Sequence, residues 1–388
     1  MSICLYNGTV LNGFSVMEQC AIFINEGKIA DIFNHKRFMK KQFSAEVLLI
    51  DVQGAYIVPG LIDTHIHGFG GFGVEDCDTE AVLAMSDGLA RLGVSAFNPT
   101  LYPSDEGEMI RCIRSVINAM GKERGARIMG LHLEGPFISP EKAGVQKPET
   151  IRPVDLALFE RLWEASQGHI VNMTLAPELK NMHELALACI QKGIVPQAGH
   201  TDAFYENMVE GMQAGILHTT HLFNAMRQMH HRNPGAVGAV LIHNEMSCEI
   251  IADGVHVHPD LFKLLLRDKA MDKIVLVTDG LKPTAQIEGP FIANGEEVVF
   301  EGGCFHRKSD GVVAGSALTM PQGIKNLISF GFPLVDAVRA ATLNPAEVMN
   351  YRRKGRLIPY FDADISVFDS TWNPLLTIIG GEIIMNKL

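Results

Sequence analysis

The 388-residue chain carries 33 Lys and Arg against 44 Asp and Glu, a formal net charge of -11, and 7% aromatic residues. That acidic balance argues against nucleic acid as a partner, because neutralising phosphates takes clustered Lys and Arg. At about 150 residues per domain the length suggests two or three units, although one β/α barrel takes roughly 250; a barrel plus a smaller domain fits.

The seven cysteines, Cys4, Cys20, Cys77, Cys112, Cys189, Cys248 and Cys304, are odd in number, scattered, and form no CxxC pair. Reduced thiols in a cytoplasmic protein are the expectation. No apolar run approaches the roughly 18 to 20 residues of a membrane span. The opening residues lack a basic stretch followed by an apolar one, so neither export nor a membrane partner is expected.

Residues 1–55 read as short alternating runs, such as 21–24 and 28–32, broken by Asn-Gly and Glu-Gly turns. From Tyr56 the pattern becomes strand then helix. A strand runs into His65, and further strands are predicted at 94–100, 127–133, 169–176, 194–199, 216–220, 248–252 and 273–278, with helices such as 80–92 and 106–120 between them. Eight such units suit closure into a (β/α)8 TIM-type barrel over 56–355.

After Asp279 a polar, Gly-rich excursion to about Gly315 reads as a loop or hairpin over the barrel mouth, followed by helices at 322–329 and 334–343. The tail reads as strands at 363–369 and 375–385 that rejoin the first ones. Residues 1–55 and 356–388 then form a small discontinuous β-sandwich domain.

Six side chains carry the chemistry: His65, His67, Glu134, His200, His221 and Asp279 each stand at or just past the end of an apolar strand. Strand ends of a barrel converge on one face, so residues distant in sequence meet there. His65 and His67 alternate on a strand and can reach one cation at about 2.0 to 2.1 Å. Taken singly, the His65 and His67 pair is as well read as two solvated or hydrogen-bonded histidines, His200 and His221 are better read as satisfied core histidines, and Glu134 and Asp279 have plain readings as a loop carboxylate and a helix cap. Asp279, however, ends a very apolar strand, where an isolated carboxylate costs several kcal/mol unless paired. A metal or its water supplies the partner, which points to a metallohydrolase.

The stretches Pro59-Gly60-Leu61-Ile62-Asp63-Thr64-His65-Ile66-His67-Gly68, His132-Leu133-Glu134-Gly135-Pro136, Ala198-Gly199-His200 and Thr220-His221-Leu222-Phe223-Asn224-Ala225-Met226 extend these residues into longer motifs. So do Ala252-Asp253-Gly254-Val255-His256, Val277-Thr278-Asp279 and Ala314-Gly315-Ser316-Ala317-Leu318-Thr319-Met320. In this order, over nearly the whole chain, they resemble the N-acetylglucosamine-6-phosphate deacetylase family of the amidohydrolase superfamily.

The resemblance implies hydrolysis of the acetamide of a phosphorylated N-acetyl amino sugar by a homodimer. One metal would use Glu134, His200 and His221; a second would add His65 and His67, with Glu134 bridging. The His-x-His pair favours two ions per subunit over one, and zinc and iron both suit imidazole and carboxylate ligands. Asp279 would be the catalytic base and then acid, and would also touch a metal.

On the substrate side the resemblance implies Arg232 on the phosphate, reaching across the dimer interface, with Asn224, Ala225, His256, Val145, Gln146 and the stretch Val313, Ala314, Gly315 and Ser316 lining the pocket. Gln146 departs from a branch that has a histidine there, and Phe361-Asp362 departs from a common Gly-Lys. The run Gly68-Phe69-Gly70-Gly71-Phe72-Gly73 spells a dinucleotide-type GxGxxG, but directly after the metal histidines a loop at the barrel mouth explains it better. Two other readings stay open: the same reaction on the galactosamine epimer, and a non-catalytic barrel acting as a binding module.

Overall fold

The computed structural model describes residues 2–388. Its centre is a ring of parallel strands in the order Leu61–Ile66, Val94–Leu101, Leu131–Glu134, Ile170–Leu175, Val195–Ala198, His218–Thr219, Ser247–Ile251 and Ile274–Val277. Their side chains are almost all buried, as expected of barrel strands covered on both faces. The third strand is interrupted: Arg127–Ile128 pairs only with Val94–Leu101, and the chain resumes at Leu131. Gly130 makes the jog at φ +148°, where a Cβ would stand 2.4 Å from Val171 Cγ1.

The ring closes where Ile66 pairs with Gly280 and the Asp279 backbone N–H donates to the His65 carbonyl at 2.9 Å. Asp63 pins the same seam, accepting from the Thr278 hydroxyl at 2.6 Å. Burial pushes the Asp63 carboxyl up to about 7, against the opposing hydrogen bonds from Thr278. The (β/α)8 expectation therefore holds.

Helices pack around the ring. Thr79–Ala90, Glu106–Ala119 and Leu156–Ala165 each start at an aspartate, Asp78, Asp105 and Asp155, whose side chain accepts from the first turn. Such a cap is worth about 1 kcal/mol. Glu106–Ala119 buries Met109, Cys112, Ile113 and Val116, one stripe at helical spacing. No helix among the described residues is long and apolar enough to cross a membrane.

Strands from both ends of the chain form one eight-stranded sheet with its own core, including Ile3, Leu5, Ile22, Ile24, Ile365 and Ile378. Tyr56–Pro59 joins the two ends, running parallel to Ser2–Leu11 and antiparallel to Ile365–Phe368. The apolar run from Tyr56 to His65 is thus two strands in two sheets, and the barrel begins at Leu61. Gly60 separates them; a Cβ there would stand 2.4 Å from Ser95.

Three further expectations change. The helix read at 334–343 is two, Leu334–Ala340 and Leu343–Val348, because the Pro345 ring would clash with the carbonyl four residues back in a continuous helix. The strand read at 375–385 is a hairpin, Pro374–Ile379 and Glu382–Asn386, turning on Gly380 and Gly381 at φ +58° and +80°. Cys77 and Cys112 are disulfide-bonded across 35 residues, so the expectation of seven reduced thiols is corrected: five are free, all buried. The 3-10 turn Val74–Asp76 packs on helix Glu106–Ala119 and brings the two cysteines together, a contact that their spacing does not reveal.

Over the mouth lies the Gly-rich excursion as a four-stranded sheet, Ile292–Ala293, Glu296–Glu301, Cys304–Arg307 and Val313–Ser316. The GxGxxG stretch is a small hairpin, Gly68–Phe69 with Phe72–Gly73, closed against the Lys282 backbone.

Candidate metal centre

All six expected ligands meet at the C-terminal end of the barrel. They form two groups, His65 with His67 and Asp279, and Glu134 with His200 and His221, whose ligand atoms lie within 4.8 Å of one another in each group. Glu134 stands between them. Its Oε1 lies 3.1 Å from the Nε2 atoms of both His200 and His221 and 3.4 Å from His65 Nε2, while Oε2 lies 3.4 Å from His67 Nε2. Asp279 Oδ1 is 3.5 Å from His65 Nε2 and 3.4 Å from His67 Nε2.

The backbone turns sharply at three of these positions. His200, His221 and Asp279 have φ of +45°, +27° and +49°, left-handed values that cost non-glycine residues of order 1–3 kcal/mol each. Each is the residue where a strand leaves the barrel wall, and the surrounding hydrogen bonds hold it there. Asp279 donates its N–H to His65 and accepts from the Ser316 N–H at 3.1 Å.

The electrostatics are those of a cation site. Burial disfavours the His65 imidazolium, yet the carboxylates of Asp279, Glu249 and Glu134 raise its pKa well above the usual 6.5. His67 and His200 are raised against burial in the same way, chiefly by Asp279 and by Glu134 respectively. Burial opposes ionisation of Glu134 and Asp279, but the histidines around them carry both below the usual carboxylate range. His65 Nε2 is buried without a hydrogen-bond partner while facing two carboxylate oxygens. Such a nitrogen calls for a proton or a cation, and the donor set of imidazoles and carboxylates fits a divalent metal.

A cavity of about 240 Å³ opens above the centre, lined by His67, Tyr102, Glu134, Gly144, Val145, Gln146, His200, His221, Asn224, Ala225, His256, Asp279, Val312, Val313, Ala314 and Gly315. Eight of the expected substrate-site residues are therefore here: Val145, Gln146, Asn224, Ala225, His256, Val313, Ala314 and Gly315. Two are not. Ser316 is fully buried and its hydroxyl donates to the Thr278 carbonyl. Arg232 is exposed on a loop, donating to His231 Nε2 at 2.8 Å. A separate cavity of about 210 Å³ shares Tyr102 but contains none of the six ligands.

Sequence reasoning missed several supports. Asp253 accepts from His256 Nδ1 at 2.6 Å and from the Val255 and His256 backbone N–H groups, fixing that ring. Gln146 Nε2 donates to Glu134 Oε2, so this amide steadies the bridging carboxylate. Tyr102 stacks on His67, and Glu249 accepts from His65 Nδ1 at 3.0 Å. Glu249 had a legible signal, a lone carboxylate inside the apolar strand Ser247–Ile251, the same argument that singles out Asp279.

The model of the amidohydrolase family matches residues 56–384. The N-acetylglucosamine-6-phosphate deacetylase of Bacillus subtilis (strain 168) is 33% identical over 99% of this chain and 95% of its own length. The N-acetylgalactosamine-6-phosphate deacetylase of Escherichia coli O157:H7 is 30% identical over 81% of this chain and 84% of its own. The crystal structure of N-acetylglucosamine-6-phosphate deacetylase from Pasteurella multocida superposes with a TM-score of 0.92 at 27% identity, covering 99% of each chain. The chain belongs to the amidohydrolase family, on the side of it that holds the N-acetyl amino-sugar 6-phosphate deacetylases.

Proposed function

We propose that this chain hydrolyses the acetamide bond of N-acetylglucosamine 6-phosphate, releasing acetate and glucosamine 6-phosphate. The observation that carries the reading is the Glu134 carboxylate standing between two three-ligand groups at one open cavity. The relatives similar over nearly the whole chain support the substrate class.

A divalent cation, one or two per subunit, held by the six side chains supplies Lewis acidity for the carbonyl and for water. The chain's own part is proton traffic and orientation. Asp279, ionised at neutral pH, takes a proton from the attacking water as the oxygen–carbon bond forms. It then returns that proton to the amide nitrogen as the carbon–nitrogen bond breaks, because an unprotonated amine is a poor leaving group. His256, held through Nδ1 by Asp253, keeps Nε2 free for a sugar oxygen. Asn224 and residues 313–315 shape the rest of the pocket.

No Lys or Arg lines the cavity among the described residues, so the substrate phosphate needs a cation from elsewhere. Arg232 of a second copy fills that role in a homodimer, its guanidinium giving two parallel hydrogen bonds to phosphate. The galactosamine epimer is the second reading, favoured by the relative that bears that name. Acetate release measured side by side on both 6-phosphates by metal-loaded protein tests the proposal. Preference for the glucosamine compound supports it, preference for the other replaces it with the epimer, and no release from either overturns the substrate class.

A further inference from the structure

Glu249 is fully buried in the seventh barrel strand and belongs to neither ligand group. Its Oε2 accepts from His65 Nδ1 at 3.0 Å and from the His221 backbone N–H at 3.3 Å, and its Oε1 accepts from Gln197 Nε2 at 2.8 Å. Behind Gln197 the donors all run one way through the barrel. Asn172 Nδ2 donates to Gln197 Oε1 at 2.8 Å, Asn98 Nδ2 to Asn172 Oδ1 at 3.1 Å, and the Tyr351 hydroxyl to Asn98 Oδ1 at 2.6 Å.

Each amide gives its oxygen to the donor behind it and its NH2 to the acceptor ahead, so the polarity of the chain is set along its length. It ends at a carboxylate surrounded by donors. His65 therefore has to donate from Nδ1, which leaves Nε2 to meet Glu134 Oε1 at 3.4 Å and Asp279 Oδ1 at 3.5 Å. The other three histidines are held differently. His200 Nδ1 faces the Lys142 carbonyl at 2.9 Å, and the Nδ1 atoms of His67 and His221 are buried without a partner.

We propose that Glu249 is a positioning residue that holds His65 as the Nδ1–H tautomer, with Nε2 aimed at a cation in the His65, His67 and Asp279 group; this rests on reading that group as a metal site. By accepting from the His221 backbone as well, Glu249 ties the wall behind one ligand group to the wall behind the other. Groups that orient a metal-binding histidine through its second nitrogen are typically worth about 10- to 100-fold in metal affinity.

Glu249→Gln keeps the volume but leaves one acceptor oxygen for donors that had two. Equilibrium dialysis against zinc is expected to give two ions per chain for the natural protein. In E249Q the first ion stays and the second is weakened about 10- to 100-fold, with thermal melting of the metal-free protein showing that the fold is retained. Two ions held equally well by E249Q overturn the proposal alone, and a natural protein that holds a single ion overturns it together with the two-site reading.

Should E249Q not fold, the zinc-loaded natural protein decides. With 15N-labelled histidine, the His65 resonance, identified by its loss in His65→Asn, is expected to carry its proton on Nδ1. A proton on Nε2 overturns the proposal.

Discussion

The phenol ring of Tyr102 lies flat on the imidazole of His67, with 3.7 Å between centroids and 1° between planes. Tyr102 follows the second barrel strand and His67 the first, so one residue past each strand end the two rings meet. The Tyr102 hydroxyl is buried without a partner. Tyr102→Phe keeps the ring and removes an unsatisfied group, so stability is expected to be unchanged or up to about 1 kcal/mol higher. Tyr102→Ala empties the space beside His67 and costs about 3 to 5 kcal/mol. Urea denaturation of both variants checks the pair; equal damage in both would mean the hydroxyl matters more than the stacked ring.

Asp279→Asn keeps the shape of the site and removes the carboxylate proposed as its proton acceptor. We expect kcat to fall about 100- to 10,000-fold, with the ion at Glu134, His200 and His221 retained. Turnover and metal content measured on one preparation separate the two effects, and unchanged turnover would remove Asp279 from the proton path.

Arg232→Ala is expected to raise KM for the 6-phosphate while leaving the slow turnover of the unphosphorylated sugar as it was. Equal losses on both substrates would take the phosphate role away from Arg232. Sedimentation of the natural protein and of the variant reports whether two copies associate and whether the substitution alters that.

The pH dependence of stability should change sign with metal. In metal-free protein, burial opposes the charged forms of His65, His67 and His200, but the carboxylates around them raise all three above the ordinary 6.5. Their stabilising contribution is full below 6.5 and is lost as pH rises through the raised values. Glu134 and Asp279, lowered by the histidines against burial, contribute above their ordinary 4.5 and 3.8 and lose that as pH falls through the lowered values. Metal-free protein should therefore melt highest between these ranges and soften above 6.5. A bound cation replaces the protons, so its stabilisation grows with pH over that same interval. Melting curves with zinc and with a chelator test this; parallel pH profiles would contradict it.

The strand ends were legible because burial in a parallel barrel leaves long apolar runs, and a His, Glu or Asp closing such a run stands out. The excursion after Asp279 also lies over the mouth, as its Gly-rich composition suggested. Less legible was any feature in which two distant elements touch. The Cys77 and Cys112 pairing, the stacking of Tyr102 on His67, and the removal of Ser316 from the cavity depend on how helices, strands and the mouth sheet pack.

By itself, the sequence determined the barrel, the six candidate ligands and the net negative charge, since periodicity, composition and residue chemistry are local properties. The tertiary structure alone decided that Glu134 stands between the two ligand groups, that three ligands turn through left-handed backbone, and that Glu249 grips His65 from behind. Those relations follow from strand register and close packing across the barrel, where a shift of one residue turns every side chain to the opposite face.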